Sequence, residues 1–153
     1  MKRTMPRLTM AASSITIGQS LRARSGTNYA ISRLIQQRPD GPHGVFEVTT
    51  DDRKYVLKTI SRSQFDREET IWRRLHKSTL NRLPLDAVDE PKAFVYEHLG
   101  EDLQSLSKRA KFTRKQIKEI SRTILEAIAE LHEIDYLHGG IFYIVSDSEF
   151  IRF

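Results

Sequence analysis

From residue 29 onward, apolar and polar side chains alternate in short stretches, the pattern expected of strands with one buried face. The predicted strands are 29–35, 45–49, 55–60, 83–88 and 92–96. A cluster of Pro, Gly and Asp at 38–44 separates the first two strands, and Asp51 and Asp52 separate the second from the third. Connections this short join antiparallel neighbours, so the first three strands are predicted to form a meander.

Two longer stretches repeat apolar residues three and four positions apart, the spacing of a helix with one buried face. The first helix is predicted to have Ser63 as its N-cap, with Asp66 three residues on, and to end near Lys77. The second begins after Thr113, which forms a capping-box sequence with Gln116. Its apolar positions are Ile117, Ile120, Ile124, Ile128 and Leu131.

Two charged residues interrupt the apolar faces of these elements. Lys58 points to the same side of its strand as Val56 and Ile60. Glu68 falls among the apolar residues that form one face of the first helix, which are Phe65, Trp72 and Leu75. Either charge taken alone is compatible with a solvated position. A buried charge without a partner costs several kcal/mol, so a strand lysine facing a helix glutamate would satisfy both, and we predict that they lie within salt-bridge distance.

The composition is that of a soluble globular chain. Its 153 residues suffice for one domain or two small lobes, and 39% are hydrophobic and 29% charged. No apolar run in the sequence is long enough to cross a bilayer. The chain has no cysteine, which excludes disulfides, thiolate catalysis and cysteine metal sites. Its five histidines show no metal-ligand spacing.

The net charge of +5 is concentrated at the start of the chain. Residues 1–39 hold seven of the 25 Lys and Arg residues and no acid, so the remaining 18 basic residues face all 20 acidic ones. No basic stripe with interleaved aromatics follows, and nucleic acid is therefore not a predicted partner. Residues 1–27 are predicted to be a basic, flexible extension. The alternative is a mitochondrial presequence with a processing region at 22–25.

The strand at 56–58, Val-Leu-Lys, resembles the V-A-I-K strand of protein kinases, and Glu68 stands where their αC glutamate would be. The preceding turn resembles the kinase glycine-rich loop. Gly41 and Gly44 match its second and third glycines, Val45 matches the following valine, and Pro39 replaces the first glycine. A proline removes one N–H donor from such a loop.

The stretch 94–103 resembles a kinase hinge that leads into helix αD. The resemblance makes Tyr96 the gatekeeper, turns the Glu97 carbonyl and the Leu99 amide toward adenine, and brings Asp102 near the ribose. The alternative is an edge strand followed by a helix, with Asp102 as an acid in the first helical turn.

The second predicted helix resembles αE, and residues 129–138 resemble the lead-in to the kinase catalytic loop. The pattern then departs from H-R-D-L-K-x-x-N, because Gly140 stands in place of the aspartate and nothing matches the asparagine. Residues 143–153 are predicted to form a β-hairpin. The 153 residues end where the D-F-G motif would begin, which leaves the activation loop and most of the large lobe outside this sequence.

The resemblance implies a kinase-like α+β fold with a complete N-lobe, formed by a five-stranded antiparallel sheet and αC. Only the start of the helical C-lobe follows, comprising αD, αE and the hairpin. The corresponding division is an N-terminal tail at 1–27, the N-lobe at 28–96, and the hinge with a partial C-lobe at 97–153. We expect a cytoplasmic or nuclear location, or a mitochondrial one if the N-terminus is a presequence.

The resemblance also implies ATP as ligand and serine/threonine phosphorylation as the ancestral activity. The nucleotide-binding residues it names are Gly41, Gly44, Val45, Lys58, Glu68, Tyr96, Glu97, Leu99 and Asp102. It assigns no catalytic residue and no metal ligand, so weak ATP binding largely independent of magnesium is expected. Two classes of function follow: a kinase or part of one, and a non-catalytic pseudokinase-type binding module. The apolar face of the αE-like helix predicts self-association.

Overall fold

A computed structural model describes residues 15–37 and 43–137 as an antiparallel sheet with three helices. In chain order the elements are β1 (Ser20–Arg22), β2 (Asn28–Gln37), β3 (Gly44–Thr50), β4 (Arg53–Thr59), α1 (Arg62–Arg74), β5 (Asp86–Val88), β6 (Ala93–Glu97), α2 (Leu103–Arg109) and α3 (Arg114–Glu133). The predicted α+β class is confirmed. The residues at 138–142 and the hairpin expected at 143–153 lie outside the described part of the chain.

The sheet has six strands in the order β1-β2-β3-β4-β6-β5, and every neighbouring pair is antiparallel. The predicted meander is present as β2, β3 and β4. Asp51 and Asp52 make the tight turn between β3 and β4 with positive φ angles of 48° and 59°, a conformation that Asp tolerates better than most residues. The sequence pattern predicts five strands, whereas the sheet has six, because the pattern does not predict β1.

The two edges of the sheet approach each other and give it a nearly closed, barrel-like form. The Arg24 amide, just after β1, donates to the carbonyl oxygen of Ala87 on β5 at 2.8 Å. The Ser25 amide donates to Oδ1 of Asp86 at 3.2 Å. The interior holds one apolar cluster formed by Leu21, Ala23, Tyr29, Ile31, Phe46, Val48, Leu57, Val88, Ala93 and Val95. Closure of this kind gives edge strands partners that an open sheet would leave exposed.

The flexible extension predicted over residues 1–27 is therefore too long. Leu21 and Ala23 are buried in the sheet interior, at 5% and 6% exposure. Their burial means that the fold includes this segment, and that the candidate processing region at 22–25 is part of the folded domain. A strand of three residues is too short to show alternation, which is why the pattern analysis missed it.

Helix α1 covers the opposite face of the sheet. Phe65, which is fully buried, stacks on Phe94 with the ring centroids 4.4 Å apart. The helix begins at Ser61 as N-cap, not at Ser63 as predicted. The reason is Gln64, whose amide donates to the Ser61 hydroxyl while its side chain accepts from the Ser61 amide, which completes a capping box. The helix ends at Arg74, slightly before the predicted end near Lys77.

Helix α3 has the predicted N-cap at Thr113, with the predicted capping box to Gln116. Its buried residues, Ala127 and Leu131, face the end of α1, where Leu131 joins a cluster with Ile71 and Leu75. The connection is reinforced by Asn81, whose side-chain amide donates to Oε2 of Glu130 at 2.9 Å and to the Ala127 carbonyl at 3.3 Å. Within residues 15–37 and 43–137, no helix has the length and apolar character needed to span a membrane.

Strand β1, which the sequence pattern did not predict, gives a direct test of stability. Leu21→Ala should lower the free energy of unfolding by about 2–5 kcal/mol, because it leaves a cavity in the sheet interior. Ile17→Ala is the matched control, since Ile17 lies in the same segment but is 62% exposed, and its cost should stay within about 0.5 kcal/mol. Urea unfolding followed by circular dichroism measures both. Equal, small effects for the two variants would show that residues 15–27 are not part of the fold.

Candidate functional site

Lys58 lies near the end of β4, between the two strands that pair with it. Its backbone is opposite Val45 on β3 and opposite Phe94 on β6. Residues directly opposite each other in antiparallel strands project to the same face. Although it carries a charge, Lys58 is only 3% exposed. The structure thus places a lysine inside the apolar face that the sequence pattern indicated.

The same face is the one covered by α1. Phe65 of α1 stacks on Phe94, the residue opposite Lys58. Glu68 follows Phe65 by three residues, which places it on the same side of the helix. Glu68 is half-buried, and its Oε2 atom is buried. Both charges therefore lie on the side of the sheet that α1 covers, and their ion pair stays a prediction.

The next glutamate of α1 holds the helix to the sheet. Glu69 accepts from Nη1 of Arg24 at 2.5 Å and pairs with Arg73 at 3.1 Å. Arg24 in turn makes a bidentate contact with Asp89, at 3.0 Å through Nε and 2.8 Å through Nη2. Hydrogen bonds from Arg24 hold the pKa values of Glu69 and Asp89 below their usual range. The sequence analysis missed this connection because Arg24 is 45 and 65 residues from its partners.

Three residues were matched to the kinase glycine-rich loop: Gly41, Gly44 and Val45. Gly41 lies outside the described residues. Gly44 opens β3, and its amide donates to Oγ1 of Thr59 at 2.8 Å. A Cβ at this position would lie 3.0 Å from the Gln36 carbonyl oxygen and 3.2 Å from the Phe46 ring. Close packing between strands is therefore a sufficient reason for glycine here. Val45, which is buried, lies beside Lys58.

The segment that resembles a hinge begins on β6. Tyr96 is buried and lies opposite Val56 of β4. Arg82 places its guanidinium 5.3 Å from the Tyr96 ring centroid, and its Nη2 donates to the Glu97 carbonyl oxygen. A carbonyl oxygen has two lone pairs, so this contact reduces what the hinge can offer to another donor. Leu99 is half-buried between β6 and α2.

Asp102 is the N-cap of α2. Its Oδ1 accepts from the Ser105 amide at 2.6 Å, and its Oδ2 accepts from the Ser105 hydroxyl at 3.1 Å. These hydrogen bonds hold the pKa of the Asp102 carboxyl below its usual value, the amide contact contributing most. The carboxylate thus caps α2 from the position just before its first turn, whereas the alternative interpretation placed it within that turn. Contact with a ribose stays a prediction.

A buried carboxylate that the sequence analysis did not single out lies on the same face as Lys58. Glu47 of β3 is 6% exposed and lies opposite Val56. It is surrounded by Arg33 at 3.1 Å, Lys54 at 3.3 Å and His98 at 3.7 Å. Burial alone would raise the pKa of Glu47, but the hydrogen bonds and charges of Lys54 and Arg33 outweigh it and lower the pKa. Nε2 of His98, on the hinge segment, lies 3.7 Å from Oε2 of Glu47 and forms an ion pair with it only when the imidazole is protonated.

The site therefore combines a buried ammonium on the sheet, a half-buried glutamate on the covering helix, and a strand end fixed by Arg82 and Glu47. In the described ranges, no group of three or more His, Asp or Glu side chains is arranged to hold a metal ion. Nucleotide binding at Lys58 and along the backbone after Tyr96 stays a prediction.

The fold is similar to that of a solved protein kinase structure, vaccinia related kinase 3. The TM-score is 0.59 with 18% sequence identity, and the match covers 86% of this chain and 46% of that one. The chain thus spans less than half the length of the kinase it matches. No family model matches the chain, and no curated protein matches it at the sequence level. The similarity establishes a kinase-like fold.

The Glu47 cluster generates a pH prediction. Because its folded pKa is depressed, Glu47 stabilises the protein above the unfolded pKa of about 4.5, and this contribution disappears as the pH falls through the folded pKa. Glu47→Gln should therefore cost about 1–3 kcal/mol at neutral pH and progressively less in acid. The control is Glu101→Gln, which removes an exposed ion pair with Arg109, with an expected cost of about 0–1 kcal/mol. Urea unfolding at a series of pH values measures both, and a pH-independent cost for Glu47→Gln would contradict the assignment.

Proposed function

We propose that the chain is a kinase-like domain that binds ATP weakly between α1, the sheet and the segment 96–102, and that these 153 residues do not transfer phosphate. The observation that carries the proposal is the burial of Lys58, at 3% exposure, on the sheet face that α1 covers. The kinase-like fold supports the location, since the solved structure with a similar fold is named a kinase.

The chemistry at Lys58 suits a phosphate group. A buried ammonium is retained only when anionic or polar partners compensate for lost hydration, and Glu68 is the candidate that the covering helix supplies. An ammonium has three N–H donors, and one carboxylate does not need to use them all. The α- and β-phosphates of a nucleotide present the oxygen acceptors that such donors bind.

The base and sugar would lie along the start of the hinge segment. Val45 beside Lys58, and Val56 opposite Tyr96, provide apolar contacts for an adenine ring. The Glu97 carbonyl and the Leu99 amide would then recognise its edge, and Asp102 the ribose. Since Glu97 already accepts from Arg82 and Asp102 already caps α2, recognition of the base and ribose should be weak.

Phosphate transfer requires more than this site contains. In kinases, magnesium is held by the D-F-G aspartate and the catalytic-loop asparagine, and an aspartate receives the proton of the substrate hydroxyl. Gly140 stands at the position that matches this aspartate, and the 153 residues contain no Asp-Phe-Gly sequence. Binding and catalysis are therefore separable in this chain.

The alternative is a pseudokinase-type module that binds a protein and no nucleotide. Three observations favour it: the Arg82 contact to the Glu97 carbonyl, the packing reason for Gly44, and the proline at position 39. The Arg82 contact and the proline each remove a hydrogen-bonding group that a nucleotide would use. The packing of Gly44 accounts for that glycine without a phosphate.

Calorimetric titration with ATP and with adenosine distinguishes the two functions. Lys58→Met should weaken ATP binding about 10- to 100-fold, the loss of a hydrogen bond to a charged group, while adenosine affinity stays the same. Lys77→Met is the control, because Lys77 is exposed in the turn after α1, and it should affect neither ligand. The absence of binding by the folded wild-type chain would support the non-nucleotide alternative.

Radiolabelled ATP tests the second half of the proposal. With generic protein substrates and magnesium, we expect the wild-type chain to show no more phosphate transfer than Lys58→Met. Circular dichroism should show that both proteins are folded. Transfer by the wild-type chain that Lys58→Met abolishes would contradict the proposal, because it would reveal a catalytic apparatus built without the aspartate and asparagine of kinases.

A further inference from the structure

Exposed cations are concentrated where α2 ends and α3 begins. Residues 103–118 contain no acid, and all of their basic residues are exposed: Lys108, Arg109, Lys111, Arg114, Lys115 and Lys118. We call these six residues the basic cluster. Successive members are at most three positions apart in the chain, so their Cα atoms lie within about 10 Å of each other. One ligand can therefore reach several of these charges at once.

The described part of the chain pairs only some of these cations. Arg109 forms an ion pair with Glu101 at 2.5 Å, and Lys115 lies 3.9 Å from Glu119. The charge of Lys108 also acts on the carboxylate that caps α2. Within residues 15–37 and 43–137, three members of the cluster form no ion pair: Lys111, Arg114 and Lys118.

Two of these three cations lie where α3 does not favour them. Arg114 is the first residue of α3, whose first turn contains no acid, and Lys118 follows it by four residues. A helix N-terminus carries a partial positive charge, and like charges four residues apart repel each other. The cap does not depend on these cations, because Thr113 and Gln116 form the capping box by themselves. An anionic ligand would offset both unfavourable effects.

The basic cluster is short and has acidic neighbours. Asp102 directly precedes residues 103–118, and Glu119 directly follows them. Of the 18 basic residues in 40–153, six belong to the cluster, which leaves 12 against 20 acidic ones and a charge of −8. A long polyanion or an anionic membrane would extend beyond the cluster and meet this negative charge. A short anionic segment would not.

We propose that the basic cluster binds a short acidic segment of another protein. Lys111 and Lys118 are separated by at most about 16 Å, the sum of three residues of chain and four residues of helix. An extended peptide advances about 3.3 Å per residue, so about five residues span this distance. Glutamate and aspartate side chains along such a segment would form charge-assisted hydrogen bonds with the ammonium and guanidinium groups.

The composition of the cluster also favours a peptide over nucleic acid. Phe112 is the only aromatic residue in 103–118, and it is half-buried. Proteins that bind single-stranded nucleic acid use aromatic side chains on which the bases stack, and the cluster does not offer such a surface. The proposed binding involves no nucleotide and is therefore independent of a nucleotide site at Lys58.

Fluorescence anisotropy with the complete 153-residue chain tests the proposal in the absence of ATP. The probe is a labelled peptide of about eight residues that alternates glutamate and serine, and the same peptide with glutamine for glutamate is the control. We expect only the acidic peptide to bind, at least about tenfold more weakly in about 300 mM salt than in about 30 mM. No binding of the acidic peptide at low salt, or equal binding of both peptides, would overturn the proposal.

A pair of matched variants tests whether the cluster is the binding surface. Arg114→Gln/Lys118→Gln should raise the dissociation constant of the acidic peptide at least about tenfold, because it removes two charge-assisted contacts. Arg67→Gln/Lys77→Gln makes the same charge change at two exposed residues outside the cluster, and it should bind like the wild type. Equal losses in the two variants would show that net charge alone attracts the peptide, which contradicts the proposal.

Urea unfolding separates a binding role of these cations from a structural one. Because Arg114 and Lys118 oppose the helix dipole and repel each other, Arg114→Gln/Lys118→Gln should unfold at the same urea concentration as the wild type or at a higher one. A lower unfolding midpoint would show that the two charges stabilise the fold, and the proposal would then lose its basis.

Two other anionic partners serve as comparisons. These are a short DNA duplex and phosphatidylcholine vesicles with about 30% phosphatidylserine. We expect Arg114→Gln/Lys118→Gln to weaken binding of the acidic peptide more than it weakens binding of either one. A larger loss for the duplex or for the vesicles would assign the cluster to nucleic acid or to a membrane surface and would overturn the proposal.

Discussion

The burial of one ammonium group constrains the rest of this structure. Lys58 is 3% exposed in a strand that has neighbours on both sides, so its charge must be compensated from the face that α1 covers. The position of α1 is fixed by the stacking of Phe65 on Phe94 and by the ion pairs of Glu69 with Arg24. Arg24 also joins β1 to Asp89. The near-closure of the sheet and the placement of the covering helix are thus two results of the same contacts.

Local patterns predicted most of the fold but not its closure. The sequence pattern located β2, β3, β4, β5 and β6, and capping sequences located α3 at the correct N-cap. The start of α1 was misplaced because Ser61 and Ser63 are equally suitable caps in isolation, and only Gln64 distinguishes them. Lys58 and Glu68 could be found because a charge within an apolar row is visible in sequence. Arg24, Glu47 and Arg82 could not, since their contacts join residues far apart in the chain or involve a backbone carbonyl.

Two contacts near the hinge segment bear on what this site could hold. In the nucleotide site that we propose at Lys58 and the backbone after Tyr96, the Glu97 carbonyl already accepts from Arg82 and Asp102 already caps α2. The chain spans 46% of the kinase whose fold it resembles. Its last described helix, α3, is buried on one side and carries exposed Ile117 and Leu125 on another.

The pairing of Lys58 with Glu68 is the central claim, and a double-mutant cycle tests it most directly. Urea unfolding gives the free energies of the wild type, Lys58→Met, Glu68→Gln and the double variant. We predict that each single change is destabilising and that the double change costs less than their sum by about 0.5–3 kcal/mol, the range for residues in contact. Costs that add to within about 0.5 kcal/mol would show that the two charges are independent and would contradict their pairing.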